Sequence, residues 1–287
     1  MTPRYARPDT LDEALRLLRE DKWRMLAGGT DFYPAQGTRP LRDNVLDLNG
    51  LSGLRGISRH EGGVRIGART TWMDIIRADL PSAFDGLKLA AREVGSVQIQ
   101  NVGTIAGNLC NASPAADGVP PLLTLDATVE IASQGAVRDV PIAKFILGNR
   151  RTDLKPGELV VSIRIPAGAC AGRSSFLKLG ARRYLVISVA MVAARLTIDN
   201  GKVAAAAIAV GSCSEVALRL TELERALIGR DADASMADCV SGDHFAALAP
   251  IDDVRSSGAY RHEAARELVA RVLRATVEPA REAGLAA

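Results

Sequence analysis

The chain has 287 residues, of which 47% are hydrophobic and 24% are charged, and its 36 basic and 33 acidic side chains leave a net charge of +3. This composition is typical of a folded globular protein and argues against a disordered chain. Aromatic residues make up only 4% and the basic residues form no concentrated stripe, which argues against a nucleic-acid-binding surface.

The cysteines and histidines are scattered and show no CxxC or other metal-ligand spacing. The N-terminus has no apolar signal-peptide core, and the longest apolar runs are shorter than the roughly 18 residues of a membrane helix. We therefore expect no metal site, no membrane span and a cytoplasmic location.

Capping and periodicity predict the elements of the first half of the chain. At residues 10–18, Thr10 offers a hydroxyl cap, Glu13 follows three residues later, and leucines then repeat at helical spacing, which predicts a helix. Residues 24–27 predict a strand that runs into a glycine turn, with a helix from 31 to 36. The further predicted elements are strands at 44–48, 63–66, 127–132, 137–141 and 159–165, and helices at 71–78, 86–94 and 120–125.

The small, glycine-bearing segment 166–172 predicts a boundary between two domains, residues 1–168 and 169–287. Strands are predicted beyond it at 174–180, 187–198 and 203–210, and Asn200-Gly201 between two apolar runs indicates a hairpin. Alanine-, leucine- and arginine-rich segments at 215–228, 235–248 and 260–275 predict helices. The C-terminal domain is therefore predicted to be a small antiparallel sheet beside a helical bundle, within an α+β fold.

Two glycine-bearing stretches, residues 26–31 and 103–117, carry the most functional information. Glycine permits positive φ and close approach of a ligand to the backbone, so that neighbouring N–H groups can converge on anionic oxygens without a lysine. Neither stretch has the P-loop or the G-x-G-x-x-G pattern. The polar segment 95–117 predicts a loop. Together the two stretches predict a cradle for a diphosphate.

Both stretches resemble those of the FAD-binding medium subunit of the molybdenum hydroxylase family, of the xanthine dehydrogenase and carbon monoxide dehydrogenase type. Its A-G-G-[TH]-[DS] loop matches residues 27–31, and its T-I-[GA]-G-N-x-x-x-[AS]-x-P-x-x-D pattern matches residues 104–117. The resemblance implies FAD as the cofactor and a two-part FAD-binding domain of the PCMH or vanillyl-alcohol-oxidase-like type. It implies these cofactor-binding residues: Leu26, Ala27, Gly28, Gly29, Thr30, Asp31, Thr104, Ile105, Ala106, Gly107, Asn108, Asn111 and Asp117.

A third segment, residues 176–184, resembles the family's F-x-K-x-x-x-R-[RK] pattern, which approaches the flavin ring from the second domain. By this resemblance Lys178 or Arg182 would stabilise negative charge on the reduced ring, and Tyr184 would cover the ring. A strand followed by a solvated turn explains the same residues equally well. No catalytic side chain is expected, because the flavin carries the redox chemistry.

The resemblance also implies partners and a direction of electron flow. Electrons would come from [2Fe-2S] clusters of a small subunit, loaded by a large subunit with a molybdenum cofactor, and would pass to NAD, oxygen or a quinone. The complex would be a hetero-oligomer, a dimer of heterotrimers. Two alternatives stay open: a free-standing FAD-dependent oxidoreductase with its own substrate pocket, and a non-catalytic nucleotide-binding module.

Overall fold

The structure is a computed structural model that describes residues 2–183 and 185–277, without the side chain of His60. Its strands are β1 Tyr5–Ala6, β2 Arg24–Leu26, β3 Val45–Asp47, β4 Ile57–His60, β5 Gly63–Gly67, β6 Thr128–Ser133, β7 Ala136–Pro141, β8 Ile146–Gly148, β9 Arg151–Thr152, β10 Leu159–Ile165, β11 Arg173–Leu179, β12 Ala190–Asp199, β13 Lys202–Gly211 and β14 Leu218–Arg219. Its helices are α1 Leu11–Glu20, α2 Phe32–Gln36, α3 Trp72–Arg77, α4 Asp85–Glu93, α5 Val97–Val102, α6 Ile105–Asn111, α7 Val119–Thr124, α8 Ile142–Phe145, α9 Thr221–Leu227 and α10 Gly258–Val277.

The first part of the chain builds two principal sheets. Strands β1, β3 and β2 form a parallel sheet in that order, and β4, β5, β10, β6 and β7 form an antiparallel sheet. The predicted first helix is confirmed as α1, in which Thr10 Oγ1 accepts from the Glu13 N–H at 3.3 Å. Its buried leucines pack with Leu46 of β3 and Val161 of β10, so one helix face joins the two sheets.

The last part of the chain builds an antiparallel sheet in the order β11, β12, β13, β14. The predicted hairpin is confirmed: Asp199 pairs with Lys202, and Asn200 and Gly201 have φ of 49° and 75°, as a two-residue primed turn requires. Helices α9 and α10 bury Leu223 and Val269 against this sheet. The architecture is the expected α+β fold, in which helices pack on sheets that are antiparallel except for β1, β3 and β2.

The two parts pack directly against each other. Ala90 of α4 lies in one buried cluster with Phe176, Met191 and Ala193 of β11 and β12. The Arg195 side chain of β12 donates from Nε to the Thr124 carbonyl oxygen at 2.7 Å. The C-terminal sheet is thereby fixed against the region that contains the second glycine-bearing stretch.

Three segments differ from the sequence-based expectation. The prediction of a loop at 95–117 is wrong over much of this segment, because α5 and α6 lie there. The buried side chains of Ile105 and Leu109 anchor α6 in the core. Of the helix predicted at 215–228 only α9 forms. The segment 235–248 forms 3-10 helices, at Ala234–Cys239 and Gly242–Phe245. Within the described ranges no helix has the length and apolar character needed to cross a bilayer.

Candidate cofactor site

A cavity of about 410 Å³ lies where the two glycine-bearing stretches meet. Its volume is within the range of ligand pockets, roughly 300–1,000 Å³. Residues 27–31 of the first stretch and the following Phe32 contribute to its wall. The second stretch contributes Gly103, Thr104, Ala106, Gly107, Asn108, Cys110 and Asn111. Segments that are about seventy-five positions apart in the chain therefore line one cavity.

The first stretch presents a row of unpaired backbone donors. The N–H groups of Gly28, Gly29, Thr30, Asp31 and Phe32 have no hydrogen-bond partner within the part of the chain that the structure describes. Each of these residues lines the cavity. Unpaired donors on a glycine-containing turn are suited to bind an anion, because they attract negative charge through backbone dipoles alone.

Gly28 and Gly29 are required for different reasons. A Cβ added at Gly28 would lie 2.0 Å from the carbonyl oxygen of Val102, so only glycine lets the first stretch approach the chain just before Thr104 this closely. Gly29 has φ of +74°, a conformation that glycine adopts without steric cost. Close approach of the two stretches therefore depends on Gly28, and the shape of the turn depends on Gly29.

The second stretch uses its backbone differently from what we expected. The N–H groups of residues 105–108 donate within the protein: Ile105 to the Thr70 carbonyl, Ala106 to the Ala68 carbonyl, and Gly107 and Asn108 to the side chain and the backbone of Thr104. They begin the helix α6, so they do not form a second row of free donors. Ala106 is helical, which explains why alanine is accepted there in place of glycine.

In the second stretch it is the polar side chains of Asn108 and Asn111, rather than the backbone, that offer or form hydrogen bonds at the cavity. Asn108 lines the cavity, and neither its buried Oδ1 nor its Nδ2 has a hydrogen-bond partner among residues 2–183 and 185–277. Asn111 Nδ2 donates to Asp31 Oδ1 at 3.0 Å, and Asn111 Oδ1 accepts from Arg150 Nη1. Asn111 therefore ties the two stretches together, and Asn108 keeps unused hydrogen-bonding capacity at the cavity.

Comparisons with known proteins agree with this geometry. Residues 1–168 match the family model of the FAD binding domain in molybdopterin dehydrogenase, and residues 175–276 match that of the CO dehydrogenase flavoprotein C-terminal domain. The chain belongs to the FAD-binding medium subunits of the molybdenum hydroxylase family. Its cofactor is FAD, and it is an FAD-dependent oxidoreductase subunit.

Individual relatives align over nearly their whole length. The glyceraldehyde dehydrogenase medium chain of Sulfolobus acidocaldarius is 32% identical, with 92% of this chain and 94% of the relative covered. The carbon monoxide dehydrogenase medium chain of Afipia carboxidovorans is 29% identical, with 94% of each covered. A crystal structure of Cu,Mo-CO dehydrogenase in its cyanide-inactivated form superposes with a TM-score of 0.87 at 28% identity, covering 96% of this chain and 99% of that one.

The residues of this medium subunit fit FAD on structural grounds. The cofactor carries an anionic diphosphate, and the free N–H groups of the first stretch supply donors for it. The Asn108 amide has both a donor and an acceptor that no described residue occupies, so both are free to bind a ligand. The hydroxyl and ring groups on either side of the FAD diphosphate also donate and accept hydrogen bonds, so this amide can pair with them. The site therefore offers backbone donors for charge and a side-chain amide for orientation.

Asp117, at the end of the second stretch, is held by the C-terminal sheet. Its carboxylate accepts from Lys178 Nζ at 2.7 Å and from Ser188 Oγ at 2.6 Å, and the Asp117 and Lys178 side chains are 9% and 6% exposed. Burial raises the pKa of Asp117, and Lys178 and Ser188 oppose this rise. The sequence did not indicate that these two predicted residues pair with each other across the two parts of the chain.

Of the other predicted site residues, some line the cavity and some do not. Leu26 and Ile105 are buried and do not line the cavity, so their side chains serve packing. Ala27 and Thr30 line it. Tyr184 lies outside the described residues. No group of three or more His, Cys, Asp and Glu suited to a metal ion occurs in the described part of the chain.

Sequence reasoning missed several residues of the cavity wall. Trp72, which is 1% exposed, and Leu154, Leu159 and Val160 supply apolar surface, and Arg69 supplies a cation. The apolar residues follow ordinary helix and strand patterns that predict burial without saying which cavity they face. Arg69 lies two residues after the end of β5, and no motif distinguishes it from a surface arginine.

Proposed function

We propose that this chain is the electron-transfer subunit of a molybdenum hydroxylase complex. It takes electrons from [2Fe-2S] clusters of a small partner subunit, which a large subunit with a molybdenum cofactor reduces, and passes them to NAD, oxygen or a quinone. The full assembly is a dimer of heterotrimers in the cytoplasm. Support comes from the relatives, which are named as medium chains of dehydrogenases, and from the match to the structure of a CO dehydrogenase.

The observation that carries the proposal is the row of unpaired N–H groups at residues 28–32 on the cavity wall. When bound, FAD supplies the one- and two-electron redox chemistry. The protein residues bind and orient the cofactor: the first stretch holds the diphosphate, Thr104 and Asn108 contribute side-chain hydrogen bonds, and Asn111 fixes the spacing between the stretches through Asp31. None of these residues exchanges a proton or an electron with a substrate.

The two parts of the chain have separate tasks in this proposal. Residues 1–168 form the FAD-binding domain, and residues 169–287 form a domain that caps the cofactor. The buried contact of Lys178 and Ser188 with Asp117 holds the cap against the cradle. Asp117 and Lys178 do not line the cavity, and their opposite charges offset each other, so the main effect of this pair is on the position of the cap.

The decisive experiment mixes the purified, FAD-loaded chain with purines, aldehydes and aromatic heterocycles in a stopped-flow spectrophotometer. We expect no flavin bleaching by these substrates without the partner subunits, and bleaching by them once the reconstituted complex is used. Fast bleaching of the lone chain by any of them would show a substrate site on this chain and would contradict the electron-transfer role. Capture of a molybdenum subunit and an iron–sulfur subunit by the tagged native chain provides an independent check.

A further inference from the structure

Arg69 is a cation on the wall of the cofactor cavity, and in the described residues it makes no direct contact with an acidic side chain. Asp47 offsets part of its charge from a distance, since Asn49 hydrogen-bonds both side chains. Arg69 lines the cavity together with both glycine-bearing stretches. Its Nη1 donates to the Leu51 carbonyl oxygen and its Nη2 to Asn49 Oδ1, both at 2.9 Å. In the described residues it takes part in no ion pair, and its buried Nε has no hydrogen-bond partner. A guanidinium has five N–H donors, so most of its donor capacity is unused.

The position of Arg69 is coupled to the first glycine-bearing stretch. Asn49 bridges the two, because its Oδ1 accepts from Arg69 and its Nδ2 donates to the Ala27 carbonyl oxygen at 3.0 Å. Ala27 directly precedes the row of free N–H groups. One amide side chain therefore holds the guanidinium beside the backbone donors.

A second arginine on the same wall provides a contrast. Arg24 donates to Gln36 Oε1 at 2.7 Å, lies 4.1 Å from the centre of the Phe32 ring, and has Asp43 at 3.9 Å. The Arg24 guanidinium is therefore already held by contacts within the protein, which include an acidic side chain. Within residues 2–183 and 185–277 the hydrogen-bond acceptors of Arg69 are neutral, and Asp47 forms no ion pair with it. The partly buried charge of Arg69 is therefore one that an anionic ligand can stabilise.

We propose that Arg69 binds the diphosphate of FAD and neutralises part of its charge. The proposal rests on FAD binding by this chain and adds a cationic contact to the backbone cradle. Guanidinium groups pair well with phosphate oxygens, since their planar donors match two oxygens at once. Arg69 is a binding residue in this account and takes no part in electron transfer.

The test compares Arg69→Met with Arg55→Met in the full chain. Arg55 is the matched control, because it lies close in sequence, loses the same charge, pairs with Asp74 at 2.8 Å and does not line the cavity. Apo-protein is titrated with FAD, with ADP and with riboflavin at several salt concentrations. We expect Arg69→Met to weaken FAD and ADP about 10- to 100-fold, to leave riboflavin unchanged, and to reduce the salt dependence of FAD binding. Arg55→Met should bind all three as the wild type does.

Further variants separate a binding role from a folding role. Arg69→Lys keeps the charge and should recover part of the loss, whereas neutral Arg69→Gln should behave as Arg69→Met does. Equal FAD affinity in Arg69→Met and Arg55→Met would overturn the proposal, and so would an equal loss for riboflavin and FAD, which indicates general damage to the site. If Arg69→Met does not fold, the FAD affinities of Arg69→Lys and Arg69→Gln are compared instead. Tighter binding by Arg69→Lys supports the proposal, and equal affinities of the two variants overturn it. Failure of the wild type to bind FAD would instead overturn the function itself.

Discussion

The two glycine-bearing stretches look alike in sequence and use their backbones in opposite ways. At residues 28–32 the N–H groups have no partner among the described residues and their residues line the cavity, whereas the N–H groups of residues 105–108 all donate within the protein. Both stretches end at an aspartate, but Asp31 is exposed and bonds Asn111, while Asp117 is buried against Lys178. Glycine content therefore locates the site without saying which groups bind the ligand.

The comparison teaches that one stretch acts through its backbone and the other through its side chains and its packing. Gly28 is needed because the first stretch touches the backbone of Val102. In α6, Gly107 lies close to the hydroxyl of Thr104, so its role is local to the helix start. Substitutions in the two stretches should accordingly have different consequences for FAD binding and for stability.

The largest effect is expected for Gly28→Ala. The new Cβ would lie 2.0 Å from the Val102 carbonyl oxygen, a backbone atom, so the stretches must separate and several N–H groups lose their common target. With each hydrogen bond to a charged group contributing about 1.5–3 kcal/mol, FAD affinity should fall more than about 100-fold. The matched control is Gly53→Ala, where a Cβ meets nothing within 4 Å. Equal FAD titration curves for the two variants would remove the cradle assignment.

The next effect concerns the two aspartates. Asp117→Ala leaves buried Lys178 without its partner and should cost about 3–5 kcal/mol of unfolding free energy. Asp31→Ala removes an exposed hydrogen bond to Asn111 and should change stability little. The double variant Asp117→Leu with Lys178→Met should recover much of the loss. Urea denaturation of the apo-proteins measures all three, and similar values for the two single variants would contradict the contrast.

A smaller effect is expected for Gly107→Ala. Its Cβ would lie 2.8 Å from Thr104 Oγ1 and would displace the hydroxyl that caps α6. Loss of such a cap costs about 0.5–2 kcal/mol of unfolding free energy. FAD affinity should fall far less than in Gly28→Ala, which fluorescence titration can measure. If both glycine variants lose FAD to the same extent, the backbone of α6 contributes directly to binding.

The smallest effect is expected for Asn108→Leu, and it has opposite signs for two quantities: apo-protein stability should rise and FAD affinity should fall. The substitution removes a buried oxygen that has no partner in the described part of the chain, so the apo-protein should gain about 1 kcal/mol of stability. The same change should weaken FAD about 10-fold, because a hydrogen-bonding group is lost from the cavity. Thermal melts with and without FAD measure both quantities. A destabilised apo-protein would show that Asn108 serves the fold rather than the cofactor.

Local signals in the sequence predicted the local structure well. The Thr10 cap and the Asn200-Gly201 turn depend on residues that are neighbours in the chain, and both were confirmed. The prediction of a loop at 95–117 is wrong, because it depends on the many polar residues of this segment. Ile105 and Leu109 are buried by packing against distant parts of the chain, which the local sequence does not indicate.

The site was predicted where a motif marks it and missed where tertiary contacts create it. The glycine-bearing stretches line one cavity, as expected. The Asp117 and Lys178 pair joins residues 61 positions apart, and Asn49 links Arg69 to the first stretch. Neither arrangement leaves a pattern of spacing in the sequence. The roles of Lys178 and Tyr184 toward the flavin ring stay predictions.

Amide hydrogen exchange, measured residue by residue by NMR, tests the central claim most directly. Without FAD, the amides of residues 28–32 should exchange rapidly because no described residue accepts their hydrogen bonds, while those of residues 105–108 should be protected. Addition of FAD should protect residues 28–32 strongly and change 105–108 little. Protection that appears at 105–108 while 28–32 stay unprotected would contradict the account, because it would move the diphosphate from the first stretch to the second.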